Sequence, residues 1–326
     1  MSATTATTAL VTGGAGFIGS HLTRRLLEAG YRVRVLDNFA TGSRENLEEI
    51  EDSIELVEGD IQSYERVHNA VRGCELVFHQ AAMPSVPRSI QDPLTSTSVN
   101  VTGTLNVLLA SRDEGVERVV YASSSSVYGA NPALPKREDM PTLPMAPYAV
   151  SKLAGEGYCR SFHRVYGLDT VALRYFNVFG PGQDPTSQYA AVIPNFITAF
   201  LEDRQPTVHG DGEQSRDFCF ISNVIDANVR AAAAGPDAAG EAFNIACGER
   251  TSLNQMLDML RTETGKDIDA TYVDPRPGDV PHSQADISKA ADVLGYDPVV
   301  GMAEGLGIAL AAYGDRRHRV AAGFVA

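Results

Sequence analysis

The chain has 326 residues, enough for one large domain or two fused ones, and its 44% hydrophobic content can fill a substantial core. With 41 Asp and Glu against 27 Lys and Arg, its net charge at pH 7 is −14. That balance excludes a non-specific nucleic-acid binder and any anionic ligand not met by local Arg or Lys. No apolar run reaches the length of a membrane span, and the stretch from Met1 to Ala9 lacks the basic and apolar regions of a signal peptide. Cys74, Cys159, Cys219 and Cys247 are scattered without paired spacing, so a cytoplasmic protein with reduced cysteines is expected. Scarce lysine among abundant Asp, Ala and Thr fits a high-salt habitat and an ordinary acidic protein equally.

Residues 9–12 read as a short apolar strand, followed at once by Gly13-Gly14-Ala15-Gly16-Phe17-Ile18-Gly19 and a helical pattern over 20–29. The glycines fit G-x-G-x-x-G from Gly14 and G-x-x-G-x-x-G from Gly13. Between a strand and a helix they permit a tight turn and close approach of backbone to a pyrophosphate at the helix N-terminus. Gly30 stops the helix. Residues 31–36 form the next strand, ending in Asp37-Asn38. Asp37 lies about 20 residues past the glycines, where a carboxylate takes the adenosine ribose hydroxyls and repels a 2′-phosphate. NAD is thereby favoured over NADP; a strand-end cap is the plainer reading of the same residue.

Strands follow at 54–58, 76–79 and 118–122, with a long helix over 93–114. Apolar strands separated by helices predict an α/β, Rossmann-type, doubly wound parallel sheet with ligands at the carboxyl ends of its strands. Asp60, Ala81, Ala82 and Ser123 fall at those ends. His79, in an apolar strand, reads as a satisfied core histidine, and no metal site is indicated.

Ser123-Ser124-Ser125-Ser126-Val127-Tyr128-Gly129 leaves the last strand at the same edge, so its hydroxyls can donate to a substrate oxygen. Pro147-Tyr148-Ala149-Val150-Ser151-Lys152 then puts Tyr and Lys four apart on one helix face. An ammonium beside a phenol favours the phenolate and lowers its pKa towards a base usable near neutral pH. Such a pair alone is common on protein surfaces; the glycine turn, Asp37 and the serine run give it context. From Phe179 the alternation weakens and Pro and Gly rise. The expected domains are 1–178 for the dinucleotide, rejoined by 221–247, and a smaller, discontinuous substrate lobe over 179–326. The tail from Arg316 is expected to fray.

In this order the glycine turn, Asp37, Ser124, Tyr148 and Lys152 resemble an extended short-chain dehydrogenase/reductase of the NAD-dependent epimerase/dehydratase family. Arg174-Tyr175-Phe176-Asn177-Val178-Phe179-Gly180 and Gly210-Asp211-Gly212 with Arg216-Asp217-Phe218 extend the likeness over nearly the whole chain. His79-Gln80-Ala81-Ala82, Ser85-Val86-Pro87-Arg88-Ser89, Gln188 to Pro194, Thr251 to Gln255 and Ala285 to Ala290 are similar to the UDP-N-acetylglucosamine 4-epimerase branch. Related dehydratases and decarboxylases carry Glu two residues before the Tyr-Gly of the serine run. Here that position is Ser126, which favours epimerisation over elimination.

The resemblance implies NAD held by Gly13, Gly16, Phe17, Ile18, Gly19, Asp37, Asn38, Gly42, Asp60, Ile61, Gln80, Ala81, Ala82, Asn100, Ser123, Tyr148, Lys152 and Tyr175. It implies Tyr148 as base, Lys152 as its modulator and Ser124 as hydrogen-bond partner of the sugar's 4-oxygen. For a UDP-sugar it implies Ser85, Ser124, Ser125, Tyr148 and Asn177 near the sugar. Arg216 and Arg276 fall to the diphosphate, Asp279 to the uridine ribose, and Ala191, Val192, Thr207 and His209 to the uracil. Ser283 meets the hexose C2 substituent, where members restricted to non-acetylated sugars carry Tyr. A homodimer is implied through a four-helix bundle of helices 100–114 and 148–166. A UDP-glucose or UDP-glucuronate 4-epimerase on the same scaffold, or a NAD-sensing regulator without catalysis, are the alternatives; intact Ser124, Tyr148 and Lys152 speak against the last.

Overall fold

The computed structural model describes residues 6–184, 192–275 and 281–321, with side chains through Asp315. In β1 (Thr8–Thr12) Leu10 faces one core while Ala9 and Val11 face the other, the two-residue period of a strand buried on both sides. The same holds for β2 (Arg32–Asp37), with Leu36 on the Leu10 side and Val33 and Val35 opposite. Then come β3 (Ile54–Glu58), β4 (Leu76–His79), β5 (Arg118–Ser124) and β6 (Asp169–Tyr175). Short β7 (Val178–Phe179), β8 (Thr207–His209), β9 (Ser215–Arg216) and β10 (Cys219–Phe220) precede β11 (Glu241–Ile245).

The main sheet has seven parallel strands in the order β11-β6-β5-β4-β1-β2-β3. It is a Rossmann-type doubly wound sheet, its order reversing between β1 and β4, the point at which such sheets open a crevice. Leu22 and Leu26 of the Phe17–Glu28 helix pack on one face with Val224 and Ala227 of the Ile221–Ala233 helix. Val67, Val107, Leu108 and Phe162 pack on the other. Each such Leu, Val or Phe side chain, buried completely, contributes about 1.5–3 kcal/mol.

Three local features differ from the sequence reading. The helix expected over 93–114 is Pro93–Thr97 and Gly103–Asp113 joined by a π turn at Ser98–Thr102. The serine run is strand as far as Ser124, because Ser123 and Ser124 pair with Arg174 and Tyr175 of β6; only then does it enter a 3₁₀ turn, Ser125–Tyr128. The tail beyond Arg316, expected to fray, continues as helix to Ala321.

The remaining elements form a smaller layer in which β8 pairs with Thr271–Val273 and β9 with Thr251–Ser252. Phe196, Phe200, Leu257, Leu260 and Leu306 bring three of its helices together. Buried Asp217 ties this layer to the sheet, its carboxylate accepting from the amides of Cys247 (2.9 Å), Gly248 (3.0 Å) and Ala285 (3.1 Å). Among the described residues no helix is long and apolar enough to cross a membrane.

Candidate active site

The turn after β1 is a cradle that side chains would fill. Gly13 has φ +70°, and a Cβ there would stand 2.7 Å from the backbone of Ala81. At Gly19 it would stand 2.0 Å from the Gly13 carbonyl oxygen. The Asp37 carboxylate at the end of β2 accepts from the Ala15 amide at 2.9 Å and the Phe39 amide at 2.8 Å. It therefore caps the turn, and it also lines the cavity; two oxygens with two lone pairs each leave capacity for ribose hydroxyls. Backbone laid bare at a helix N-terminus, with a carboxylate at the next strand end, fits a dinucleotide.

The cavity above this cradle measures about 670 Å³. Of the residues expected at NAD, Gly13, Gly16, Phe17, Ile18, Gly19, Asp37, Asn38, Asp60, Ile61, Gln80, Ala81, Ala82, Ser123, Tyr148, Lys152 and Tyr175 line it, together with Ser85. Gly42 and Asn100 stand behind its wall. Gly42 backs the turn at the Ala15 carbonyl. Asn100, in the π turn, accepts from the Met83 amide at 2.7 Å and donates to the Met83 carbonyl and the Ser151 hydroxyl.

Tyr148 and Lys152 come from the Pro147–Tyr166 helix, which starts with Pro at a position where its missing N–H is harmless. Tyr148 is half-buried in the first turn, where the helix dipole favours a negative group. Lys152, one turn on, is buried and donates to the Ala122 carbonyl at 2.8 Å, anchoring the helix to β5. Burial lowers its pKa from 10.5 to about 8. The expectation that Lys152 depresses the phenol does not hold in the chain alone. Burial raises the Tyr148 pKa, a hydrogen bond with the Ser124 hydroxyl opposes the rise, and the ammonium lies 5.9 Å from the ring centre.

A second cavity of about 280 Å³ lies in the smaller layer, lined by Asn177, Val192, Thr207, His209 and Arg216 of the expected substrate set. Arg216 donates to the carbonyls of Ser215 and Pro281, both at 3.0 Å. Asn177 (φ +28°) and Ser85 (φ +93°) hold backbone conformations that non-glycine residues rarely adopt, and both line cavities. Ser124 ends β5 and its hydroxyl meets the Tyr148 phenol, Ser125 opens the turn that follows, and neither serine lines either cavity. Ser283 is half-buried, its amide donating to the Ser215 carbonyl at 3.0 Å, and the structure brings it into neither cavity. Ala191, Arg276 and Asp279 lie outside the described residues.

Residues 9–246 match the family described as the NAD dependent epimerase/dehydratase family. The chain belongs to this family. It is 41% identical over 301 residues to the UDP-glucose 4-epimerase of Mycolicibacterium smegmatis, covering 91% of this chain and 95% of the relative. Its fold is similar to that of a UDP-N-acetylglucosamine 4-epimerase from Methanobrevibacter ruminantium solved with UDP-N-acetylmuramic acid. That likeness has a TM-score of 0.91 at 38% identity and covers 95% and 99% of the two chains. A Thermus thermophilus UDP-glucose 4-epimerase solved with NAD is similar at 36% identity and TM-score 0.85, covering 94% and 98%. With the family comes NAD as cofactor, which the glycine cradle and Asp37 fit.

Behind the cavity of this NAD-dependent enzyme, Asn228 and the Glu156–Arg174 pair are polar groups that the sequence reading did not assign to the site. The Tyr175 hydroxyl, Gln80 and Asn228 bond to one another at 2.9–3.2 Å under the cavity floor. Glu156 and Arg174 form a buried pair at 2.8 and 2.9 Å. The one available signal was a charge in an apolar setting: Arg174 within Val171-Ala172-Leu173, and Glu156 in line with Tyr148 and Lys152. His79 is satisfied in the core as expected. Thr104 donates to the Asn100 carbonyl, so it accepts from His79 Nε2; Nδ1 then accepts from Thr12, which accepts from the Ala81 amide. Burial holds this ring neutral, with its pKa at about 3.

Proposed function

We propose that this chain is a 4-epimerase of UDP-linked hexosamines that interconverts UDP-GlcNAc and UDP-GalNAc and also accepts the UDP-glucose and UDP-galactose pair. The reading rests first on one observation: Tyr148, which lines the dinucleotide cavity, meets the hydroxyl of Ser124 at the end of β5, in a run whose side chains from Ser123 to Ser126 are hydroxyls only. NAD, held by the glycine turn and Asp37, would supply the hydride acceptor and donor for the sugar's C4. Tyr148 takes the 4-hydroxyl proton as general base. Lys152 carries the positive charge next to it, and Ser124 holds the 4-oxygen and relays its proton. Without a carboxyl in the turn there is no acid placed to expel water, so the 4-keto sugar is not committed to elimination.

For the return of hydride to the other face, the hexose must turn within the cavity while its nucleotide stays fixed. Arg216 and Arg276 suit the diphosphate as planar forks, with Asp279 for the ribose and Ala191, Val192, Thr207 and His209 for the uracil. Ser283 lines neither cavity, so its role at C2 rests on the resemblance alone, in which a serine in place of Tyr leaves room for an N-acetyl group. In a cytoplasmic enzyme of this kind, a homodimer through a four-helix bundle of helices 100–114 and 148–166 would cover Val150, Val165 and Tyr166, which are exposed on the Pro147–Tyr166 helix. NMR of mixtures containing UDP-Glc, UDP-Gal, UDP-GlcNAc or UDP-GalNAc tests the reading. Interconversion within the acetylated pair supports it; turnover of the glucose pair alone reassigns the sugar, and no turnover of any leaves a UDP-glucuronate 4-epimerase or a NAD-binding regulator.

A further inference from the structure

The segment that carries Ser124, from the end of β5 through the Ser125–Tyr128 turn, is fastened at both ends to a single buried ion pair. At its start the Ser123 hydroxyl donates to Glu156 Oε1 at 2.5 Å. At its end the Tyr128 hydroxyl accepts from Arg174 Nη1 at 2.9 Å and donates to Asn244 Oδ1 at 2.7 Å. Between them Glu156 and Arg174 meet in a two-bond fork, Nε to Oε1 at 2.9 Å and Nη2 to Oε2 at 2.8 Å, with side chains only 6% and 4% exposed. Glu156 stands on the same stripe of the Pro147–Tyr166 helix as Tyr148 and Lys152, one further turn along. Arg174 belongs to β6, directly beside Ser123 in the ladder.

A buried ion pair of this kind adds little net stability compared with apolar side chains of the same size, because desolvation offsets the attraction. What it supplies is fixed geometry between groups on separate elements. We propose that Glu156 and Arg174 are positioning residues that set the Ser124 hydroxyl against the Tyr148 phenol, by locking both ends of the serine turn to the helix that carries the base. The inference rests on the 4-epimerase reading above. Neither residue lines the cavity, so neither touches sugar or cofactor. Their effect falls on the rate of the chemical step and not on binding.

The test compares Glu156→Met/Arg174→Met with the wild-type holoenzyme for Tm, bound NAD, KM and kcat on UDP-GlcNAc and UDP-Glc. Expected are a Tm within a few degrees, unchanged NAD content, KM within about twofold and kcat lower by about 10–100-fold, the scale of a small misplacement of reacting groups. Recovery of wild-type kcat in the stable apolar pair would overturn the proposal. Should the double variant not fold, Tyr128→Phe removes only the hydroxyl that ties the end of the turn. It is expected to lower kcat several-fold at constant KM, and an unchanged kcat overturns the proposal equally. Failure of the wild-type enzyme to epimerise any of the four UDP-sugars would instead remove the underlying reading, before any variant is compared.

Discussion

Tyr148 is a phenol whose pKa burial has raised, held by one serine hydroxyl at the first turn of a helix. The serine run beside it, Ser123 to Ser126, offers no carboxylate or imidazole to replace it as the proposed base. Tyr148→Phe is expected to retain bound NAD and to lose about 10²–10⁴-fold in kcat, the range of general-base catalysis. Near-normal turnover would contradict the role. Asp37 carries a second prediction: nucleotide released from purified enzyme by acid is NAD, and mass spectrometry showing mainly NADP would mean that Asp37 does not face the ribose. The sequence makes these two residues legible because their requirements are local. A tight turn needs glycines in a row, and a strand end sits a fixed distance beyond them. The bonds by which Asp37 accepts from Ala15 and Phe39 also follow from that proximity, so the strand-end cap is present whether or not the carboxylate takes a ribose.

Among the elements, the Pro147–Tyr166 helix does most to order the site, and Lys152 is its tie to β5. The folded-state pKa of about 8 lies below the ordinary 10.5, so between those values the native state binds fewer protons than the unfolded one. Native stability on this term therefore rises with pH across that window, by at most about 1.4 kcal/mol per unit, and the gain is absent below about pH 8. Thermal melts of nucleotide-free wild type and Lys152→Met from pH 7 to 10 should show wild type gaining on the variant above about pH 8. Parallel curves would show that Lys152 is not desolvated. The helix and its Tyr–Lys face were readable from spacing. The π turn that aims Asn100 at Met83 was not, because Ser98-Val99-Asn100-Val101-Thr102 is ordinary helical sequence and its bulge is set by partners on two other segments. The ladder that makes Ser123 and Ser124 strand was equally hidden, since it depends on β6.

On the scale of the molecule, the sheet and the smaller layer are joined at Asp217, whose carboxyl pKa burial raises to about 6 despite three backbone donors. Its folded value exceeds the ordinary 3.8, so the native state holds the extra proton between them, and stability on this term falls as pH rises from about 4 to 6. The Tm difference between wild type and Asp217→Asn should shrink over that range; a constant difference would mean that the carboxylate is not buried at the junction. The α/β class and the parallel, doubly wound sheet were legible, because alternating apolar strands and helices admit few topologies. Contacts across the sheet, such as Asn228 on Tyr175 and Arg174 on Glu156, were not, because they join residues that only the closed fold makes neighbours. The central claim is a closed hydride cycle at C4 with no net redox change. Its most direct test is NMR of UDP-GlcNAc incubated with the purified enzyme in D₂O without added cofactor. The cycle predicts UDP-GalNAc carrying the original hydrogen at C4, and deuterium at C4 or the absence of UDP-GalNAc would contradict it.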